Sequence, residues 1–361
     1  MNKVEAQARR SKARSITIFD VARRAGVSTA TVSRALAFPD RVAEDTRAAV
    51  FAAIAEVGYT PNASARNLRA KKTRMVLALV PGMDNAFFTP ILNAIEDELS
   101  DAGYGLIMGD TRNDARKEFH YARIIRAGQV DGVVLLIGHL PKAESDHGID
   151  ANLPISIVLN EIKGTNLPVF DVANRKAART MVNFLLSQGH RRIAHIRGPE
   201  GYVEANERVK GYMDALKAAG IPVEPELIWP GDFFPGSGKG SLQRYFAMSN
   251  RPTAVFASND QSAIGFIKSL KDAGLSVPND LSVAGFDDIG FLELFIPGLT
   301  TMRQPLAELG RLAAVDLLKR IENPGKPLPS TRVRLECELV IRESVTRPQR
   351  NPRRSGARST R

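Results

Sequence analysis

Between residues 17 and 57 apolar side chains recur at the three- and four-residue spacing of helices, whereas from residue 75 onward they gather into short unbroken runs separated by amphipathic stretches. In "TIFDVARRAGVSTATVSRAL" (17–36) Val21, Ala22 and Ala25 form one stripe, which predicts a helix over about 18–25. Thr17 and Asp20 make a shortened capping box at its start, Gly26 can take the positive φ that ends it, and Ser28 is placed to cap a second helix beginning at Thr29. Val32 and Leu36 face inward and Val27 plugs the corner, leaving Thr29, Ala30, Ser33 and Arg34 on the outer face. A third helix is predicted in "AEDTRAAVFAAIAEVGY", with Glu44 and Asp45 at its positive end, Val50, Ile54 and Val57 on one stripe, and Gly58 closing it. Three such helices make a minimal helix-turn-helix core, and small polar side chains beside one arginine suit the wall of a DNA groove, although the same geometry also occurs away from DNA.

The next twelve residues, "PNASARNLRAKK" (61–72), place Ala65 and Leu68 among polar and basic neighbours. Such a segment is too short to be a stable helix in water and reads as a linker that folds on binding. Beyond it the runs "MVLALV", "YGLIMGD", "GVVLLI" and "ISIVLN" form one series, and "RIAHIRG", "TAVFASND" and "LSVAGFDDI" a second. Helices are predicted near 88–102, 115–127, 174–188, 205–219 and 260–273. Continuous apolar strands alternating with helices imply parallel sheets covered on both faces, and two series imply two doubly wound α/β lobes behind an all-α headpiece.

Ligands of open α/β sheets sit beyond the carboxyl ends of the strands. The residues there are Phe87 and Phe88, Asn160 and Glu161, Asn259 and Asp260, and Asp287 and Asp288. Polar forks beside aromatic faces suit a hydroxyl-rich ligand such as a sugar or nucleoside, while each residue taken singly could equally be a helix cap or core packing.

Charge sharpens the division of labour. Residues 1–74 carry a net +9 and residues 347–361 a net +6, which leaves −4 for residues 75–346. A basic headpiece expects a polyanion, and the middle expects something else. No apolar run is long enough to span a membrane and "MNKVEAQARRSKARS" lacks the apolar core of a secretory signal, so a cytoplasmic protein with no membrane partner is expected. The single cysteine, Cys337, lies in the alternating stretch "VRLECELVI" and is expected to pack in a strand.

An enzyme with Rossmann-like lobes that uses nucleotides or sugars is the rival from another class. The stretch "PGSGKGS" tempts as a phosphate loop, but Phe233 stands where the first glycine is needed and Gly240 where a hydroxyl residue should follow Lys239. His120, His139, His147, His190 and His195 have no metal-ligand spacing, and His190 reads as a helix-end cap. No cofactor, metal or catalytic residue is expected. A secreted sugar-binding protein would share the lobes but not the headpiece.

Taken together, "DVARRAGVSTATVSRAL", "YTPNASARNL", "RPTAVFASNDQSAIG", "VPNDLSVAGFDDI" and "PGLTTMRQP" resemble the lactose-repressor (LacI) family of bacterial transcription regulators over about residues 15–346. "STATVSRAL", "FPDRV" and "IRAGQVDGVVLL" are most similar to its cytidine-repressor branch. The resemblance implies a periplasmic-binding-protein-like core, a homodimer, a pseudo-palindromic operator in double-stranded DNA and a small-molecule effector. It implies that Thr29 and Ala30 read bases, that Thr17, Ser28, Thr31, Ser33 and Arg34 contact phosphates or flanking bases, and that Leu68, with Asn62, Ala65 and Arg69 in the hinge, wedges into the minor groove. For the effector it implies Phe87, Phe88, Asn160, Arg208, Phe256, Asn259 and Asp287, with the departure that Asn160 stands where an aspartate is usual. The implied organisation is a flexible basic arm (1–14), headpiece (15–60), hinge (61–73), core (74–346) and disordered basic tail (347–361). Within the core, the N-lobe takes 74–173 with 303–330, and the C-lobe takes 174–302 with 331–346.

Overall fold

The computed structural model describes residues 16–60, 72–141, 153–325 and 329–348. The expectations for the N-terminal arm, for hinge residues 61–71 and for the tail beyond residue 348 fall outside the described residues. The chain divides into two units, 1–72 and 73–361.

The first unit holds α1 (Ile18–Ala25), α2 (Thr29–Ala37), a 3-10 turn (Pro39–Arg41) and α3 (Glu44–Val57). Its boundaries follow from local chemistry. The Thr17 backbone N–H and hydroxyl both donate to the Asp20 carboxylate, at 2.9 and 2.8 Å. Gly26 ends α1 at φ 66°, and Ser28 Oγ accepts the Thr31 N–H at 3.1 Å to start α2. Val21, Val32 and Val50 are fully buried, and Ala22, Ala35 and Ala53 beside them are small enough to let the three helices approach closely.

The second unit opens with β1 (Met75–Val80), α4 (Thr89–Asp101), β2 (Gly105–Asp110), α5 (Ala115–Arg126), β3 (Gly132–Leu135), β4 (Ile155–Val158) and β5 (Val169–Val172). It continues through α6 (Asn174–Ser187), β6 (Ile193–Ile196), α7 (Val203–Ala218), β7 (Ile228–Trp229), α8 (Gly236–Ala247), β8 (Ala254–Ala257), α9 (Asp260–Asp272) and β9 (Ser282–Ala284). β10 (Thr301–Arg303), α10 (Leu306–Glu322), β11 (Arg332–Leu335) and β12 (Glu338–Val340) complete it. The first sheet has the order β11-β5-β4-β3-β1-β2 and the second β7-β6-β8-β9; all their pairings are parallel, and each is buried on both faces as the unbroken apolar runs require. β10 and β12 pair antiparallel.

Two expectations change. β11 pairs with β5, Arg332 opposite Val169 through Leu335 opposite Val172, so the stretch 331–346 is shared between lobes instead of belonging to the second. Cys337 accordingly lies in the break between β11 and β12, packed against the cores of both lobes, and burial pushes its thiol up to about 12. Alternation announces strands but not their partners, because period two is the same in either sheet. The stretch "PGSGKGS", whose spacing already argued against a phosphate loop, opens α8. A methyl group on Gly238 would lie 2.2 Å from the Gly265 carbonyl carbon, and one on Gly265 would lie 2.0 Å from the Pro235 oxygen. These glycines let α8 and α9 cross in backbone contact.

The chain thus passes between lobes three times, at Ala173, at Gln304–Pro305 and at Glu336–Cys337.

Candidate ligand cleft and nucleic-acid interface

Strand ends of both sheets converge on a cleft of about 520 Å³ between the lobes, a volume suited to a small organic molecule. Arg208 is its fixed point. It sits on α7 one turn after Glu204, so both side chains share a face. Its Nε donates to Asn174 Oδ1 at 2.8 Å and a terminal nitrogen donates to the Ser258 carbonyl at 2.5 Å. The guanidinium lies 3.8 Å from the Phe286 ring centroid. Cation–π stacking and charge-assisted bonds together hold the group in one orientation.

Asp287 follows the second-lobe strand β9 at φ 124°, a conformation disfavoured for any residue with a side chain and characteristic of functional sites. Its carboxylate accepts from Gln304 Nε2 at 2.7 Å. Burial pushes Asp287 up to about 7, and Glu204 adds to the rise, against the opposing pull of Arg208 and Gln304. Glu204 is likewise raised by burial. Behind them Asp260, also raised by burial and then by Asp287, accepts from the Thr301 hydroxyl at 2.6 Å and the Ile289 N–H at 3.1 Å. Asp260 is a strut beneath the cleft.

Of the expected ligand residues, Phe87, Phe88, Asn160, Arg208, Asn259 and Asp287 all line this cleft. Phe87 packs against the cores of both lobes, and Phe88 is largely part of the first. Asn160, with its amide nitrogen turned to satisfy its surroundings, donates across the cleft to Glu204 Oε2 at 2.6 Å. Its neighbour Glu161 instead pairs with Arg332 at 2.6 Å. Asn259 caps α9 through the Ser262 N–H and donates to the Phe233 carbonyl at 2.9 Å, so it steadies the loop that carries an aromatic wall. Phe256 is a correction. It sits inside β8, fully buried, with its ring 4.9 Å from that of His195, because side chains within a doubly covered strand face helices and not the strand end. His190 is also more than a helix-end cap: its ring bonds Thr253 Oγ1 and the Thr346 carbonyl, both at 2.9 Å.

Asn85, Asn113, Tyr202, Glu204, Phe233 and Gln304, none of them expected from the sequence, line the same walls. Gln261 Nε2 donates to Asn85 Oδ1 at 2.8 Å and Tyr202 bonds Asn113, so both pairs tie lobe to lobe. Loop residues carry no periodic signal, but Glu204 was discoverable as the residue four before Arg208.

In the headpiece Thr29, Ala30, Ser33 and Arg34 line one shallow groove with Ile18, Phe19, Ala37 and Phe38. Ser28 and Thr31 join hydroxyls at 2.9 Å at the first turn of α2, and Thr17 is exposed beside Asp20. Phe19 and Phe38, which line the same groove, are 67% and 55% exposed. Asn62, Ala65, Leu68 and Arg69 lie outside the described residues.

A helix-turn-helix unit on one chain with a two-lobed parallel α/β core and an interlobe cleft defines a DNA-binding regulator controlled by a small molecule. The family description "Bacterial regulatory proteins, lacI family" matches residues 17–62, and "Periplasmic binding protein-like domain" matches residues 182–345. The HTH-type transcriptional repressor CytR of Escherichia coli K12 is 39% identical over 91% of this chain and 96% of its own length. Catabolite control protein A of Priestia megaterium is 33% identical over 91% and 99%. Among solved structures, the Lac repressor dimer bound to operator and the anti-inducer ONPF matches with a TM-score of 0.80 at 27% identity, covering 92% of this chain and all of that one. The complex of the transcriptional regulator CelR with cellobiose matches with a TM-score of 0.70 at 30% identity over 91% and 100%. The chain belongs to the LacI family of DNA-binding transcriptional regulators. Among the described residues no helix is long and apolar enough to cross a membrane.

Proposed function

We propose that the protein is a cytoplasmic homodimeric repressor, not an enzyme, whose affinity for a pseudo-palindromic operator is set by a sugar or nucleoside held between the lobes. The observation that carries this reading is the cleft itself. It joins aromatic faces to polar groups supplied by both lobes, so the contacts available to a ligand depend on how far the lobes are closed, and a ligand that binds one closure better shifts the population toward it. Arg208 and Asp287 orient the ligand's polar groups, Asn160 and Asn259 meet it from opposite lobes, and Phe87 and Phe88 give it an apolar wall. Dimeric, operator-bound Lac repressor supports the paired headpieces.

In the headpiece Thr29 and Ala30 read base edges, while Thr17, Ser28, Thr31, Ser33 and Arg34 hold the backbone and flanking bases. The hinge carries Leu68 as the minor-groove wedge, with Asn62, Ala65 and Arg69 around it. Affinity comes chiefly from phosphate contacts and falls steeply with salt. The test is a gel shift on in vitro selected sequences over a salt series, with wild type and Leu68→Ala. Preference for a pseudo-palindrome, lost selectively in Leu68→Ala while random-DNA affinity persists, is expected. Equal affinity for selected and random DNA overturns the repressor reading.

A further inference from the structure

We propose that Glu204 makes the cleft selective for an uncharged ligand rich in hydrogen-bond donors and excludes the phosphorylated form of the same ligand. This rests on the reading of the cleft as the effector site. The cleft offers acceptors in the Glu204 carboxylate and in Gln304 Oε1, which is buried with no hydrogen-bond partner while the nitrogen of the same amide is committed to Asp287. A buried acceptor without a donor is an unmet requirement that a ligand hydroxyl or amine would satisfy.

The cations are already engaged. Arg208 serves Asn174, Ser258 and Asp287, and Arg112 donates to Asp110 Oδ2 at 2.8 Å. Against these two arginines the lining includes Asp84, Asp110, Glu204, Asp232 and Asp287. Asp84 and Asp232 lie at the exposed rim, but at Glu204 and Asp287 burial limits screening by water, so a phosphate there meets like charge whereas neutral donors gain charge-assisted bonds.

Glu204 is the decisive residue by position. The N-terminal turn of a long helix is where a phosphate would ordinarily be held, and α7 presents its first turn to the cleft. That place is taken by the protein's own anion: the Glu204 carboxylate accepts its own backbone N–H and the Asn160 amide of the opposite lobe. A ligand donor can insert between Glu204 and Asn160, but a ligand phosphate would have to displace a carboxylate.

The full-length protein and its Glu204→Gln and Glu204→Asp variants would be titrated calorimetrically with matched pairs: adenosine, cytidine and uridine against their 5′-monophosphates, and ribose and glucose against ribose 5-phosphate and glucose 6-phosphate. In wild type the unphosphorylated member of a pair binds about 100-fold more tightly. Glu204→Gln narrows that ratio about tenfold by improving phosphate binding, and Glu204→Asp, which keeps the charge, retains it. The proposal is overturned if the phosphorylated member binds as tightly, if the ratio is the same in Glu204→Gln as in wild type, or if no pair member binds. A gel shift on the selected operator with the same samples reports separately whether the regulator reading stands.

Discussion

Arg208 and Asp287 face each other at 3.6 Å with side chains only 5% and 7% exposed, and each is held by further neutral partners. Removing one half of such a pair leaves the other buried without its counter-charge, which costs about 3–5 kcal/mol. Arg208→Ala is therefore expected to lower stability by that order in chemical denaturation and to abolish effector-induced stabilisation. Arg208→Lys should recover part of the stability but little of the ligand response, because one ammonium cannot serve Asn174 and Ser258 together. A wild-type effector response in Arg208→Ala would remove this residue from the site.

Asp287 makes stability depend on pH in a stated direction. Its folded pKa, about 7, lies above the ordinary carboxyl value, so between about pH 4 and 7 the folded state holds a proton that the unfolded state has released. Stability from this group is therefore fully present at the acid end and lost as pH rises through 7. Asp287→Asn removes this group's share of the dependence, leaving that of Glu204 and Asp260, and its stability relative to wild type should climb across that window. Parallel curves for the two proteins in denaturant melts from pH 4 to 8 would contradict the assignment.

The Asn85–Gln261 bond ties one lobe to the other at 2.8 Å. Asn85→Ala should weaken the closed arrangement by about 1 kcal/mol, the ordinary net value of one such bond. Effector affinity is expected to fall about fivefold, with the fold unchanged by circular dichroism. An unchanged dissociation constant by calorimetry would show that this bond does not bias closure.

Gly238→Ala presses a methyl group onto the backbone of Gly265, an obstacle that side-chain repacking cannot remove. A loss of about 1–3 kcal/mol or more is expected, read as a lower melting temperature. Gly240→Ala, in the same helix but with nothing within 4 Å of the added carbon, should be neutral or stabilising. The contrast distinguishes close helix packing from a phosphate loop, in which both glycines would matter for ligand binding and neither for stability.

Much of the headpiece was legible because its signals are local. The Thr17–Asp20 cap, Gly26, the Ser28 cap and the apolar stripe of α1 and α2 each depend on residues no more than four apart, and they set the helix boundaries directly. From the residues alone the cleft was legible where a strand end announced it, as at Phe87, Asn160 and Asp287, while Arg208 within α7 came from the family resemblance. Phe256 and Glu204 mark the failure on either side. A strand residue one place from the end, as Phe256 is in β8, looks like a ligand residue until the sheet shows which way it faces, and a glutamate in the first helical turn looks like a favourable end charge until the opposite lobe arrives over it.

By itself the amino-acid sequence determined the basic helix-turn-helix headpiece, the two series of buried parallel strands and the segregation of charge, since each arises from short-range spacing or from composition. The tertiary structure alone decided that β11 joins the first sheet, that "PGSGKGS" is a helix pressed against Gly265, and that burial pushes the Asp287 carboxyl well above its ordinary value. Those outcomes depend on strand pairing, backbone approach and dehydration between segments far apart in the chain, and no local pattern records which distant segments will meet.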